Sequence, residues 1–240
     1  MTWISVAAPL SAASILLGFT AAPAQSPELP RARAAATCGV ERWDVKTLSD
    51  PNAQFVEFTP RRTTVRALRR KPRPAALGAR TRGVEMTTYR VRAELIEAKV
   101  EEDSDIHLVI ADAAQPRLTM IVEFPTPTCV RSAAPIRRRQ IAAARRAFTR
   151  RCGGISSSEF EKLNGTATIT GVGFFDFLHH QRGVAPNGIE LHPVLSFTQA
   201  TCASQRLRLD DRFVQRARRP QLSPTSLVTG SWHQGIGVHR

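Results

Sequence analysis

The chain has 240 residues, 42% of them hydrophobic and 22% charged, with 34 Lys+Arg against 20 Asp+Glu and a formal net charge of +14. That length holds one ordinary domain with tails and excludes two large ones. The apolar fraction excludes a wholly disordered protein, and the basic excess favours polyanions or anionic surfaces as partners.

From Ile4 to Phe19 the chain is apolar or small and uncharged, and it then reaches Ala22-Pro23-Ala24 before Gln25. Small residues three and one before a cut are what signal peptidase accepts, and the run is short for a membrane span. Residues 1–24 therefore read as a signal peptide and the protein as secreted or held in the cell envelope, with an uncleaved anchor as the alternative. No Lys or Arg precedes the apolar run, so either the amino terminus alone supplies the customary charge or the true start lies elsewhere. No later stretch is long and apolar enough to span a bilayer.

Export gives the four cysteines, Cys38, Cys129, Cys152 and Cys202, their meaning. They are even in number, far apart and never in a C-x-x-C pair, which favours disulfides over a structural zinc site. Three connectivities are open. Cys38 with Cys129 and Cys152 with Cys202 is the preferred one, tying an N-terminal arm and the tail to the body, while Cys129 with Cys152 would clip a single helix. Closing loops of that length contributes roughly 3 to 5 kcal/mol each in the chain-entropy account.

Residues 25–37 read as a linker, residues 38–202 as one β-rich domain and residues 203–240 as a basic, disordered tail. Arg61 to Arg73 is strongly basic, and Pro72 and Pro74 stop any short helix begun near Thr64. From Thr88 to Leu95 apolar and polar residues alternate, with Tyr89, Val91, Ala93 and Leu95 on one face. The phase then slips to Ile96, Ala98 and Val100, the mark of a bulge or sharp bend. A turn at Glu102 to Asp105 leads into strands over 106–111 and 118–124, the latter with Leu118, Met120, Val122 and Phe124 in phase. Pro135 to Cys152 has helical period, with Ile141, Ala144 and Phe148 on one side, Arg139, Arg146 and Arg150 on the other, and Gly153-Gly154 as the stop. Strands resume over 166–177 and 189–197, separated by a loop whose Asn187-Gly188 is a strong turn signal.

Five strands, the first long and bent, with one helix between the third and fourth, is the element order of a small OB-like five-stranded barrel. A β-sandwich, or an open sheet with one covering helix, is the alternative for this mainly β chain. Gly171 and Gly173 inside the fourth strand support tight curvature.

The run Gly171-Val172-Gly173-Phe174-Phe175-Asp176-Phe177-Leu178-His179-His180-Gln181-Arg182-Gly183-Val184-Ala185-Pro186-Asn187-Gly188-Ile189-Glu190-Leu191-His192-Pro193-Val194 resembles the closing segment of a group of uncharacterised secreted bacterial proteins. Cys38-Gly39-Val40-Glu41-Arg42-Trp43 and Asp103 to Val109 are similar to its other recurring pieces. The resemblance covers about residues 38 to 197 and implies a bacterial exported domain, with no reaction attached. The Arg-rich helix and tail depart from the more neutral pattern of that group.

Familiar catalytic signatures are missing: there is no G-x-S-x-G, H-E-x-x-H, P-loop or dinucleotide glycine pattern. Three small constellations remain. Asp103, Asp105 and His107 stand two apart at a strand entrance, Glu190 and His192 do so in the last strand, and His179 and His180 lie in the loop before it. Clustered, Asp103, Asp105, His107, Glu190 and His192 offer ligands for a divalent ion, and His107, Glu190 and His192 offer a general base. Left apart, they are a solvated turn, an Arg-paired carboxylate and local loop hydrogen bonds. Phe174, Phe175 and Phe177 suggest base stacking, although alternation makes at least one set core, and the Phe175–Phe177 pair is taken as core. Only four of the 34 cations are lysine, and arginine binds phosphate or carboxylate bidentately.

Two functions follow. The first is a secreted non-catalytic binding module in which Arg139, Arg146, Arg150, His179 and His180 hold an anionic polymer, nucleic acid, or an envelope or partner surface. No cofactor is expected for it. The second is a metal-assisted hydrolase, such as a secreted phosphodiesterase or nuclease, which needs a divalent metal. A purely structural envelope protein is a third reading. Four side chains at 105, 107, 190 and 192 lying more than about 10 Å apart would exclude a shared ion, because ligands sit within roughly 2 to 2.6 Å of one metal.

Overall fold

The computed structural model describes residues 38–204, with side chains to residue 202. The expected signal peptide and linker, and the expected tail beyond Ser204, lie outside the described residues. The elements run α1 (Trp43–Lys46), a 3-10 turn (Pro51–Phe55), β1 (Glu57–Arg62), α2 (Val65–Leu68), β2 (Thr87–Val100), β3 (Ile106–Asp112), β4 (Gln115–Phe124), α3 (Pro135–Cys152), β5 (Glu161–Phe175) and β6 (Ile189–Ser204). The protein is mainly β, with one long helix. None of the helices among the described residues is long and apolar enough to cross a membrane.

β2 organises the sheet because it is long enough to serve two sets of neighbours. Its first residues pair in parallel with β1, its last with β3, and most of its length with β5. The register shifts between Leu95 and Glu97, where the apolar phase slips, so the expected bulge is there. The sheet order is β1-β2-β3-β4-β6-β5, with a further β2–β5 pairing that makes β2, β3, β4, β6 and β5 a ring. β4 meets β6 in parallel through Ile121 opposite Glu190 and Val122 opposite Leu191. The remaining ring pairs are antiparallel.

Six strands stand where five were expected. β1, Glu-Phe-Thr-Pro-Arg-Arg, carries a proline and two arginines and so reads as a loop, yet Pro is tolerated on an edge strand. β3 and β6, whose polar residues the clustered reading groups together, are separated by β4. β6 also runs to Ser204, two residues into the expected tail.

Val91, Leu95, Leu108, Ile110, Val122 and Leu191 belong to one buried core. α3 closes it with Ala144 and Phe148 of the predicted face, while Ile141 of the same face is buried in a second cluster with Leu48, Val56, Val130, Val172 and Leu195. Phe148 packs on Phe124 and Phe197 with ring centroids 5.0 and 5.4 Å apart. Fully burying side chains of this size contributes roughly 1.5 to 3 kcal/mol each. Phe175 lies in this core, but Phe177 stands half-buried beyond the end of β5, and Phe174 is buried on the opposite face.

Every residue of β3 is buried, including the positions alternation sends outward. The sheet is therefore covered on its second face too. The cover is the segment 38–56 and the loop 176–188. Gly183, at φ 81°, lies so close to Val109 of β3 that a Cβ would come within 2.4 Å of that side chain. The disulfides are Cys38–Cys129, with Cα atoms 5.6 Å apart, and Cys152–Cys202, at 5.1 Å. The first fastens the arm to the segment after β4, and the second fastens the end of α3 to β6.

Glycine is required in β5 by close approach. A Cβ at Gly173 would stand 2.6 Å from the Val84 carbonyl and 2.8 Å from the Tyr89 ring. Gly173→Ala is expected to cost about 1 to 3 kcal/mol by overpacking, read as a lower midpoint in urea unfolding.

Candidate functional site

Beneath the arm, the outward positions of β3, β4 and β6 form one polar row. His107 of β3 stands opposite Glu123 of β4. Val122 stands opposite Leu191, which brings Glu123 beside His192 of β6. His192 Nδ1 lies 2.9 Å from Glu123 Oε2, and its Nε2 lies 3.5 Å from Asp105 Oδ2. His107 Nδ1 lies 3.5 Å from Glu123 Oε1 and 3.2 Å from Glu101 Oε1. Asp105, His107, Glu190 and His192 are each at most 1% exposed.

Three of the predicted residues thus meet, with Glu123 as the hinge between the two histidines. Asp105 does not project along a strand with Asp103. The two share a turn in which Asp103 Oδ1 accepts from the Asp105 N–H, and Asp105 Oδ1 accepts from the Thr126 N–H. Glu190 is two residues before His192 on the same face, and it faces a lysine where an arginine was the alternative expectation. His179 and His180 do not join the cluster: both are exposed, and His179 Nε2 contacts Glu41 at 3.1 Å. On α3, Arg139, Arg146 and Arg150 are exposed as expected.

Glu123 and Lys46 escaped the sequence reading. Lys46 of α1 reaches Asp176 at 3.1 Å, and its ammonium feels Glu123 and Glu190 as well. Burial alone would lower the Lys46 pKa, but the carboxylates of Glu123, Glu190 and Asp176 hold it above its ordinary value. The same balance runs through the row. Burial opposes the charge on His192, and Glu123 with Asp105 outweighs it, raising the imidazole to about 9. For His107, burial is outweighed by Glu101 and Glu123, raising it to about 10. Burial would raise Glu123, yet His192, His107 and Lys46 hold it well below the carboxylate range. Glu190 goes the other way: burial and the charges of Glu123 and Asp176 push it well above that range. Burial and Asp105 raise Asp103 to about 6.

Aromatic rings seal the row. Trp43 meets His192 edge-on with centroids 6.4 Å apart, and Phe174 does so at 5.7 Å. Arg42 and Lys46 stand over the Phe174 ring at 4.7 and 5.4 Å. Such a site holds charge but gives no room to a polymeric substrate.

The arm that covers it is held by two further buried pairs. Arg80 donates to both Asp50 oxygens, to the Val45 carbonyl and to the Glu85 carbonyl. Arg42 grips the Glu85 carboxylate at 2.9 and 2.8 Å, and that carboxylate also accepts from the Phe175 and Thr81 N–H groups.

The opposite side of the ring is open and basic. Arg62 of β1, Arg90 and Arg92 of β2, Thr168 and Thr170 of β5, and Ser196 and Thr198 of β6 line a groove of about 490 Å³, joined by Thr63 and Gln199. Register explains the set: Arg62 is opposite Arg90, Arg90 opposite Thr170, Arg92 opposite Thr168, and Thr168 opposite Thr198. A bulge in β6 places Gln199 at φ 48°, and its side chain accepts from the Thr168 hydroxyl at 2.8 Å. Thr198 and Gln199 also line a second groove with Arg150 and Arg151 of α3. Of the three helix arginines predicted to bind, Arg150 joins this surface, and Arg139 and Arg146 line neither groove.

Compared with protein-family models, curated proteins and solved structures, the chain finds no match.

Glu85→Gln is expected to destabilise the fold by about 3 to 5 kcal/mol, because it strands a buried guanidinium. Burial works to raise the Glu85 pKa, but Arg42, Thr81 and Phe175 hold it below the ordinary 4.5. Its stabilisation is therefore present above pH 4.5 and is lost as pH falls through the lower folded value. Thermal midpoints measured from about pH 7 down to about pH 3 should show a shallower acid limb in the variant.

Proposed function

We propose that the protein is an exported, non-catalytic module that binds an anionic polymer along the groove of Arg62, Arg90 and Arg92 and its continuation to Arg150 and Arg151. The observation that carries this reading is the composition of that surface. Three arginines and four hydroxyl side chains converge from four strands, and none of the residues lining the groove is acidic. Guanidinium groups with neighbouring hydroxyls suit phosphate, sulfate or carboxylate oxygens. The groove passes through Thr198 and Gln199 to a second pair of arginines, so it fits a chain better than a single small anion.

The strand order supports an OB-like barrel. Counting from β2, the ring runs first, second, third, fifth, fourth, with the third and fifth parallel. OB barrels bind oligomers on the face of their second and third strands. In this chain that face is β3 and β4, where His107 and Glu123 lie under the arm and the loop 176–188. Binding on the opposite, arginine-lined side follows from that closure. The two disulfides and the N-terminal apolar segment support export, and the resemblance of residues 171–194 supports a bacterial envelope or extracellular setting.

The hydrolase reading is not favoured, because His107, Glu190 and His192 are buried away from any polymer.

Affinity for heparin or a single-stranded oligonucleotide, measured by fluorescence anisotropy, should fall steeply with salt. Substituting Arg62, Arg90 and Arg92 together by Ala should reduce the slope of log K against log salt by about 2 to 3, since each phosphate contact contributes roughly 0.7 to 0.9. An unchanged slope in that variant, or one abolished only by removing residues 205–240, would transfer the function to the tail.

A further inference from the structure

His107 has one nitrogen whose chemistry is decided and one whose chemistry is not. Its Nε2 lies 2.9 Å from the backbone carbonyl oxygen of Arg182. A carbonyl only accepts, so Nε2 carries a hydrogen and donates it. In the neutral ring, Nδ1 then bears a lone pair. That lone pair faces two carboxylate oxygens, Glu101 Oε1 at 3.2 Å and Glu123 Oε1 at 3.5 Å. Acceptor facing two acceptors is repulsive unless something positive lies among them. Although buried, Nδ1 makes no aligned hydrogen bond to either oxygen.

The two nitrogen–oxygen spacings match those of ligands around one ion, and all three donor atoms lie within 4.8 Å of one another. Bonds of about 2.0 to 2.2 Å in tetrahedral array put neighbouring donors roughly 3.3 to 3.6 Å apart. One ring nitrogen and two carboxylates bring a formal charge of −2 and a mixed N/O donor set, which suits a divalent ion of the zinc type. The surroundings have the character of a ligand's support. The Nε2–H to carbonyl bond fixes the tautomer, as second partners of metal-bound histidines do. Phe160 meets the His107 ring edge-on at 5.2 Å and fixes its plane. The turn after β2 brings Glu101 back over His107 through the Glu101 N–H to Asp105 carbonyl bond of 2.9 Å.

Access is also provided. The His107 side chain is 1% exposed and that of Glu123 6%, but that of Glu101 is 36% exposed. Glu101 therefore leaves the cluster open to solvent on one side.

We propose that Glu101, His107 and Glu123 form a divalent-metal site that clamps the β2–β3 turn to β4. The ion is structural: it ties three chain segments and, through the Arg182 carbonyl, the loop 176–188. The site is separate from the polymer groove on the other side of the ring.

A proton on Nδ1 answers the same two carboxylates, and titration of the full chain with Zn²⁺ separates the two. After chelation and dialysis, calorimetry should show one saturable Zn²⁺ per chain and a raised thermal midpoint. Glu101→Gln, at a half-exposed position where the fold tolerates it, should weaken binding at least about tenfold. Glu102→Gln, the same charge change on the exposed neighbouring residue, should leave it intact. No saturable binding overturns the proposal in favour of the imidazolium. Equal affinities in the two variants overturn it by placing the ion elsewhere.

Discussion

Charge set on the outward face of β3, β4 and β6 must be paired and covered, and most of the molecule is arranged around that requirement. A buried ion pair repays its desolvation only when its geometry is complete. Here His107–Glu123, Glu123–His192 and His192–Asp105 form a chain of contacts at 3.5, 2.9 and 3.5 Å in which the facing ring nitrogens lack aligned hydrogen bonds, and Lys46 comes in from α1 beside Glu123, Glu190 and Asp176 to supply further positive charge. The arm is thus part of the electrostatic solution and not a loose extension. Its attachments by Cys38–Cys129, Arg42–Glu85 and Arg80–Asp50 follow from the same need, because an arm that lifted would expose the rings and strand the charges together.

Much of the frame was legible in the order of residues. The phase slip after Leu95, the buried stripe of α3, the Asn187-Gly188 turn and the preferred disulfide pairing all have local signatures, and each stands in the structure. The site was half legible. Asp105, His107, Glu190 and His192 stood out as polar groups at strand spacing, but their partner Glu123 was read only as part of an acidic stretch. The signal lay beside it: Ile121 shares its face, and an apolar neighbour argues that the face is covered. Lys46 offered no such clue, since a lone lysine in a short helix looks solvated until a distant segment supplies carboxylates. The basic groove was invisible for a related reason. Arg62, Arg90, Thr168 and Thr198 come from four strands, and only the register of the ring makes them neighbours.

The two faces divide the work. The covered face uses aromatic rings and paired charges to hold a fixed arrangement, whereas the open face leaves Arg62, Arg90 and Arg92 without carboxylate partners among the described residues. Unpaired guanidinium groups in water cost little and remain available to a ligand. The excess of arginine over lysine suits both roles, since the same planar group grips Glu85 and Asp50 inside and presents a fork of donors outside.

Among the described strands, β1 lies outside the ring and pairs on one side only, with β2, so it forms a border of the sheet. Its outer backbone would otherwise offer a template to a second chain, as any unpaired strand does. Pro60 removes one donor from it, and the adjacent Arg61 and Arg62 make like-charged copies repel. The six-residue strand that joins the sheet beside β2 therefore also guards it, its proline and arginines disfavouring edge-to-edge pairing with a second copy while the groove stays open.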